Sequence, residues 1–173
     1  DVGGATHRFE YDLRDNVTKY TDGKGGAWKY EYDNRNRRTR METPEGRVTT
    51  YAYSFADEDG QSILKIVRTM PKGTVEVAWM NANDQVVKQR WFTSVQAYEN
   101  QEDPLDEVTY EYWPSGEMKS AANSVATVNL VYDAMDRLTN ETITTAQGSR
   151  TNTYTYHADG AIASFSGPYG DTQ

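Results

Sequence analysis

A period of two runs through most of the chain. Val108-Thr109-Tyr110-Glu111-Tyr112, Val75-Glu76-Val77-Ala78-Trp79 and Asn152-Thr153-Tyr154-Thr155-Tyr156 each place apolar or aromatic residues at alternate positions. Successive side chains of a strand point to opposite faces, so the pattern predicts half-buried strands with their aromatics on one sheet face. Breakers separate the runs: Asp22-Gly23, Pro44-Glu45-Gly46, Asp59-Gly60, Pro71-Lys72-Gly73, Asn81-Ala82-Asn83, Pro114-Ser115-Gly116, Gln147-Gly148 and Asp159-Gly160. These residues fix φ or accept φ > 0, and strand-turn-strand at roughly ten-residue spacing predicts a meander of hairpins. No window of helical length carries a clean apolar stripe. The best, Thr93 to Leu105, is polar and ends in Asp103-Pro104, so residues 93–105 are expected to form an insertion loop.

The hairpins are copies of one unit. Seven pairs introduce turns: Phe9-Glu10-Tyr11-Asp12, Tyr30-Glu31-Tyr32-Asp33, Tyr51-Ala52-Tyr53-Ser54, Val77-Ala78-Trp79-Met80, Tyr110-Glu111-Tyr112-Trp113, Leu130-Val131-Tyr132-Asp133 and Tyr154-Thr155-Tyr156-His157. The second aromatic falls at 11, 32, 53, 79, 112, 132 and 156, a step near 21 residues with longer third, fourth and sixth intervals. A period of this size marks a repeat array. Five turns, beginning at Tyr11, Tyr32, Tyr112, Tyr132 and Tyr156, share one template: Tyr, often Asp, two variable residues, then Gly, Asn or Asp. The fifth position thus holds the residue types that tolerate a left-handed backbone, while an Asp at the second bonds turn amides two residues on.

These residues resemble the YD repeats of bacterial Rhs proteins, of shell components of insecticidal toxin complexes and of animal teneurins. The signature Tyr-Asp-x-x-Gly-Arg-Leu is matched best by Tyr132-Asp133-Ala134-Met135-Asp136-Arg137-Leu138, with Asp in place of Gly. Carried across the copies, the signature residues are Tyr11, Asp12, Tyr32, Asp33, Tyr53, Trp79, Tyr112, Gly116, Tyr132, Asp133, Arg137, Leu138, Tyr156 and Gly160. Several copies depart from the pattern. Trp79 replaces Tyr, Asn83-Asp84 lengthens its turn by a residue, Tyr53 precedes a longer turn, and Asn36 stands where Gly is usual. The resemblance implies an all-β fold, with about seven hairpins over residues 1–173 forming one long, twisted or curled antiparallel sheet. It also implies a non-catalytic wall segment of a shell that encloses a C-terminal toxin domain for delivery to competing cells or hosts. The family's Asp-Pro-bounded core motif, where self-cleavage releases the toxin, is not matched by the context of Asp103-Pro104. The implied partners are further YD repeats and an enclosed toxin domain, and the implied location is secreted or cell-surface, within a larger bacterial protein.

Composition narrows the alternatives. Hydrophobic residues make up only 36% of the 173 positions, yet aromatics reach 12%, and 13 of these are tyrosine. Disordered chains lack aromatic and β-branched residues, so this chain is polar but folded, and tyrosine packs its ring while keeping its hydroxyl wet or bonded. The net charge of -8 argues against nucleic acid, whose binding relies on clustered Lys and Arg. Without cysteine there is neither a disulfide framework nor a thiolate metal site, and no apolar run approaches the roughly 20 residues that span a bilayer. The chain starts at Asp1 without Met, as expected of a piece of a longer protein.

Other chemistry finds little support. Exposed tyrosines suit a glycan- or partner-binding module, but their in-register recurrence favours cross-strand pairs that hold a sheet. Asp57-Glu58-Asp59-Gly60 fails calcium-loop spacing because Phe55 stands where the first carboxylate belongs. Glycosidase chemistry needs a defined carboxylate pair, and the pattern selects none. His7 and His157 lie in no metal or triad spacing. Arg35, Arg37, Arg38 and Arg40 form the one basic cluster, expected to be a solvated, ion-paired strand. No catalytic, cofactor or metal residue is assigned. An isolated array has two open sheet edges, so self-association through an edge strand is a further expectation, checked by light scattering.

Overall fold

The computed structural model describes residues 6–58, 60–168 and 170–172. Its strands are β1 (Arg8–Tyr11), β2 (Val17–Thr21), β3 (Ala27–Tyr32), β4 (Arg38–Glu42), β5 (Val48–Glu58), β6 (Gln61–Thr69), β7 (Val75–Met80), β8 (Val86–Phe92), β9 (Asp106–Tyr112), β10 (Met118–Ala122), β11 (Ala126–Tyr132), β12 (Leu138–Thr145), β13 (Gly148–Tyr156), β14 (Ile162–Gly167) and β15 (Gly170–Thr172). One helix, α1 (Val95–Glu99), follows β8. Strand order in the sheet is strand order in the chain, and pairing is antiparallel. By internal contacts the chain forms two compact units, Asp1–Asn83 with Arg90–Leu105, and Asp84–Gln89 with Asp106–Gln173.

One turn explains the meander. After Tyr11, the Asp15 amide donates to Asp12 O at 3.2 Å, the Asp12 amide donates to Asn16 O at 2.9 Å, and Asp15 takes φ 62°. This is a type I turn closed by a left-handed residue, which leaves a bulge and matches the strands' twist. The bulge appears as a register shift between Glu10 and Tyr11, and equivalent shifts precede Tyr32, Tyr132 and Tyr156. The same bond pair closes residues 33–37, 113–117, 133–137 and 157–161, with Asn36, Gly116, Asp136 and Gly160 at positive φ. The fifth template position is therefore the left-handed one in each of these copies.

In the first unit, register partners trace the two faces. Phe9, Tyr20 and Trp28 are opposite one another, as are Tyr30, Met41 and Thr49, so these residues share a face with Tyr32, Tyr51 and Tyr53. The other face carries Glu10, Lys19, Lys29 and Glu42 in line, with ion pairs of 2.9 Å (Glu10–Lys19) and 3.1 Å (Lys29–Glu42).

Trp79 breaks the expected phase. Val75, Val77 and Trp79 lie opposite Thr69, Val67 and Lys65, which themselves lie opposite Thr50, Ala52 and Ser54, so Trp79 faces away from Tyr51 and Tyr53. Turn geometry agrees. The left-handed residue stands four after the signature Tyr in the copies at Tyr11, Tyr32, Tyr112, Tyr132 and Tyr156, and Asp84, at φ 58°, stands four after Met80. Met80 therefore occupies the tyrosine position, the turn has the ordinary length, and the aromatic at 79 belongs to the opposite face. Residue type misled the alignment there, because strand phase is set by the turn and not by which neighbour is aromatic.

That opposite face carries the unit's buried core: Val75, Val77, Trp79, Ile63, Phe92 and Ala97. Segment 93–105, expected to be a loop, contains α1. The Ser94 hydroxyl caps the helix by accepting from the Ala97 amide at 3.1 Å, and Tyr98 meets Phe92 edge-on with centroids 5.5 Å apart. Lys65 Nζ lies 5.3 Å from the Tyr98 centroid and 5.6 Å from that of Trp79, which places the helix over this face. Five residues are too few for an apolar stripe, and packing rather than propensity holds so short a helix. The Leu105 amide then returns to Trp91 O at 2.7 Å.

The second unit repeats the plan with different surfaces. Tyr110, Ala121, Val128 and Ile143 follow one another across β9 to β12, and Tyr154 meets Phe165 with centroids 5.2 Å apart. Its other face pairs hydroxyls and amides across strands: Thr142 with Thr151 at 3.0 Å, Thr144 with Ser149 at 2.9 Å, and Asn140 with Thr153 at 3.2 Å.

Candidate functional site

The most built-up constellation joins one hairpin to the next. Asp33 opens its turn and accepts through Oδ1 from the amides of Arg35 (2.8 Å) and Arg37 (3.0 Å). Its Oδ2 takes the Arg37 side chain through Nε at 2.8 Å and Nη2 at 2.7 Å. Fixed in this fork, the guanidinium lies 4.2 Å from the ring centroid of Tyr53, in the following repeat. Tyr53 completes the clasp: its hydroxyl donates to the carbonyl of Arg38 at 2.8 Å, one residue beyond the arginine. A planar guanidinium suits both partners, since it forks onto a carboxylate and stacks on an aromatic face.

The clasp recurs at the signature residues of the sixth copy. Asp133 Oδ1 accepts from the amides of Met135 and Arg137, and Oδ2 holds Arg137 at 2.7 Å. The Arg137 guanidinium stacks 4.6 Å from the Tyr156 centroid, and the Tyr156 hydroxyl donates to Leu138 O at 2.7 Å. Arg137 also donates to His157 O at 3.2 Å. In the first copy Asn16 replaces the arginine: Asp12 Oδ2 accepts from Asn16 Nδ2 at 2.9 Å, and Tyr32 donates to Val17 O at 2.9 Å. There the turns join directly, Arg14 to Asn34 O at 2.8 Å and Asn16 to Asn36 at 3.0 Å. Tyr112 makes the same kind of bond to Val86 O at 2.8 Å.

The remaining signature residues fall outside a full clasp. Tyr11 is 58% exposed, its ring 6.5 Å from that of Phe9. Tyr132 is half-buried. Gly116 and Gly160 supply φ of 112° and 90° at their turns, and Trp79 belongs to the opposite face. Sequence reading overlooked Arg37, grouped with its basic neighbours although it occupies the position of Arg137. It also missed each tyrosine-to-carbonyl bond, which spans 15 residues or more. Arg38 stacks 4.7 Å from Tyr30, and Arg40 pairs with Glu42 at 2.7 Å. His7 meets the Tyr20 hydroxyl at 2.8 Å.

Titration follows these contacts. Asp12 is held below the usual aspartate range by the Asn16 side chain and amide, and Asp133 by the Arg137 side chain. For Asp33, desolvation works upward, but the hydrogen bonds from Arg37 and Arg35 outweigh it and the carboxyl is lowered. Desolvation raises the phenols of Tyr53, Tyr112 and Tyr132. At neutral pH the clasp therefore holds an ionised carboxylate, a guanidinium and a neutral phenol, an arrangement for cohesion. Among the described residues no group of three or more His, Cys, Asp or Glu is placed to hold a metal ion, and no helix is long and apolar enough to cross a membrane.

A series of hairpins, with the tyrosines at 32, 53, 112 and 156 each anchored to an earlier one, defines a tandem β-hairpin repeat protein. The chain matches the RHS Repeat family model over residues 11–48, the stretch containing the turns at 12–16 and 33–37. It is 26% identical over 89 residues to the Probable deoxyribonuclease RhsB of Dickeya dadantii (strain 3937), a match covering 51% of this chain and 6% of that protein. Among solved structures, the Tc holotoxin pore of Photorhabdus luminescens superposes with a TM-score of 0.64 at 15% identity, over 94% of this chain and 9% of that one. The crystal structure of TcdB2-TccC3-Cdc42 gives 0.66 at 15% identity, over 96% and 9%. These likenesses show the fold, and the chain spans less than a tenth of each relative.

Proposed function

We propose that this array is a non-catalytic wall segment of a larger Rhs/YD-repeat protein, in which many such hairpins enclose a C-terminal toxin domain. The parent belongs on the secreted or cell-surface side once exported. The clasp carries this reading, because its side chains are spent on binding one repeat to the next, as an extended wall requires. The toxin-related names of its relatives, together with the common fold, support the enclosed cargo. The test is limited proteolysis of the array expressed with its flanking sequence. A toxin domain in that protein is expected to resist protease in the intact molecule and to lose its protection when Arg37 and Arg137 are both replaced by Ala. Equal cleavage of the enclosed and the isolated domain overturns the proposal.

A further inference from the structure

Two notches in the molecule are equivalent in position and differ in chemistry. Each lies between the turns of successive copies, 12–16 with 33–37 and 113–117 with 133–137, and each has a volume of about 440 Å³. The first is lined by Arg14, the third residue of its turn, whose Nη1 reaches Asn34 O in the next turn at 2.8 Å. In the second the corresponding residue is Ser115, whose hydroxyl bonds Glu117. Among the described residues no Lys or Arg lines this notch; Trp113, Glu117, Asp133 and Asp136 do. Asp133 is committed to Arg137 at 2.7 Å, which leaves Glu117 and the exposed Asp136 as the carboxylates turned to this space. Trp113 is 39% exposed, and Lys119 Nζ, paired with Glu111 at 2.7 Å, lies 5.6 Å from its centroid, so a cation already sits by this indole.

We propose that the notch between these two turns is a receptor for an arginine side chain of a basic polypeptide, the guanidinium lying between the Trp113 indole and the carboxylates of Glu117 and Asp136. The first notch supplies the precedent, because there Arg14, from the third position of its turn, lines the space with a guanidinium of the chain's own. A guanidinium is favoured over an ammonium because it stacks on the indole while forking onto carboxylates. The volume falls within the range of ligand pockets, and the net charge of -8 favours approach of a basic chain. The proposal does not rest on the wall reading and is tested on this chain alone.

The chain has four tryptophans, so a tryptophan-labelled sample gives four indole N–H signals, with that of Trp113 assigned from Trp113→Phe. On titration with an Arg-Gly-Arg peptide, the Trp113 signal is expected to shift saturably while the other three stay in place. The matching citrulline peptide is expected to leave it unmoved. Combining Glu117→Gln with Asp136→Asn is expected to weaken binding at least tenfold. Asn tolerates the left-handed backbone at 136, and unmoved signals from the other three indoles report an intact fold. An equal shift with citrulline, an unchanged affinity in the double variant, or a uniform shift of all four indoles overturns the proposal.

Discussion

A tyrosine in this protein is defined by where its hydroxyl goes. At positions 32, 53, 112 and 156 the phenol donates to a backbone carbonyl near the start of an earlier strand. A buried carbonyl deprived of its donor is costly, whereas a net hydrogen bond contributes about 1 kcal/mol. Tyr156→Phe keeps the ring under Arg137 and removes only the bond to Leu138, so a loss of about 1 kcal/mol is expected in denaturant unfolding. Arg137→Ala removes the stacking, worth about 0.5–1 kcal/mol at an exposed site, together with the fork on Asp133 and the bond to His157 O. The double variant is expected to lose less than the sum, because the arginine and the phenol orient each other. Strict additivity in that cycle contradicts a coupled clasp. Asp133 and Arg137 stood out in the sequence through the resemblance of residues 132–138 to the YD signature, which places them four apart across a turn. The partner ring and carbonyl were hidden, since a contact of about twenty residues' separation has no local pattern.

At the scale of elements, turn chemistry was the readable part and strand phase was not always so. Asp15, Asn36 and Asp136 announced left-handed positions by type, and the structure places each at a φ near 60°. Trp79 shows where such reading stops: an aromatic in an alternating run signals a buried face without saying which one. α1 was illegible for a related reason, since its position over Trp79 comes from contacts with Phe92 and Lys65 and not from its own periodicity. The corrected phase has a measurable consequence. Trp79 is 6% exposed beneath this cover, so Trp79→Ala is expected to cost about 3–5 kcal/mol, as for large aromatics removed from a core. It is also expected to raise hydrogen exchange at the amides of Ala97 and Tyr98 ahead of those at the turn of residues 33–37. Faster exchange at that turn first contradicts the assignment of Trp79 to the α1 face.

Among the described residues little hydrocarbon is buried, the few fully buried side chains being gathered in one unit, so polar contacts made at many turns bear an unusual share of the cohesion. Their protonation states then set the pH range of the fold. The carboxyls of Asp12, Asp33, Glu42, Glu111 and Asp133 are lowered in the folded chain. In the acid range the unfolded state therefore binds more protons, and stability rises with pH. Their contribution is complete above the unfolded values of about 4 and is lost as pH falls through the lower folded ones. The tyrosines run the other way. Burial raises Tyr53, Tyr112 and Tyr132, so their contribution is complete below about 10 and disappears as pH rises through their folded values. A melting temperature followed by circular dichroism is expected to be flat between about pH 5 and 9 and to fall on both sides. Combining Asp33→Asn with Asp133→Asn is expected to lower the plateau and flatten the acid limb, because fewer carboxylates then need protonation to unfold the chain. The alkaline limb is expected to change little in that variant, since burial is the main cause raising its phenols and only Tyr53 also loses the upward pull of the Asp33 charge. An acid limb of unchanged steepness means that the turn carboxylates are bystanders and that cohesion between repeats comes from the strands alone.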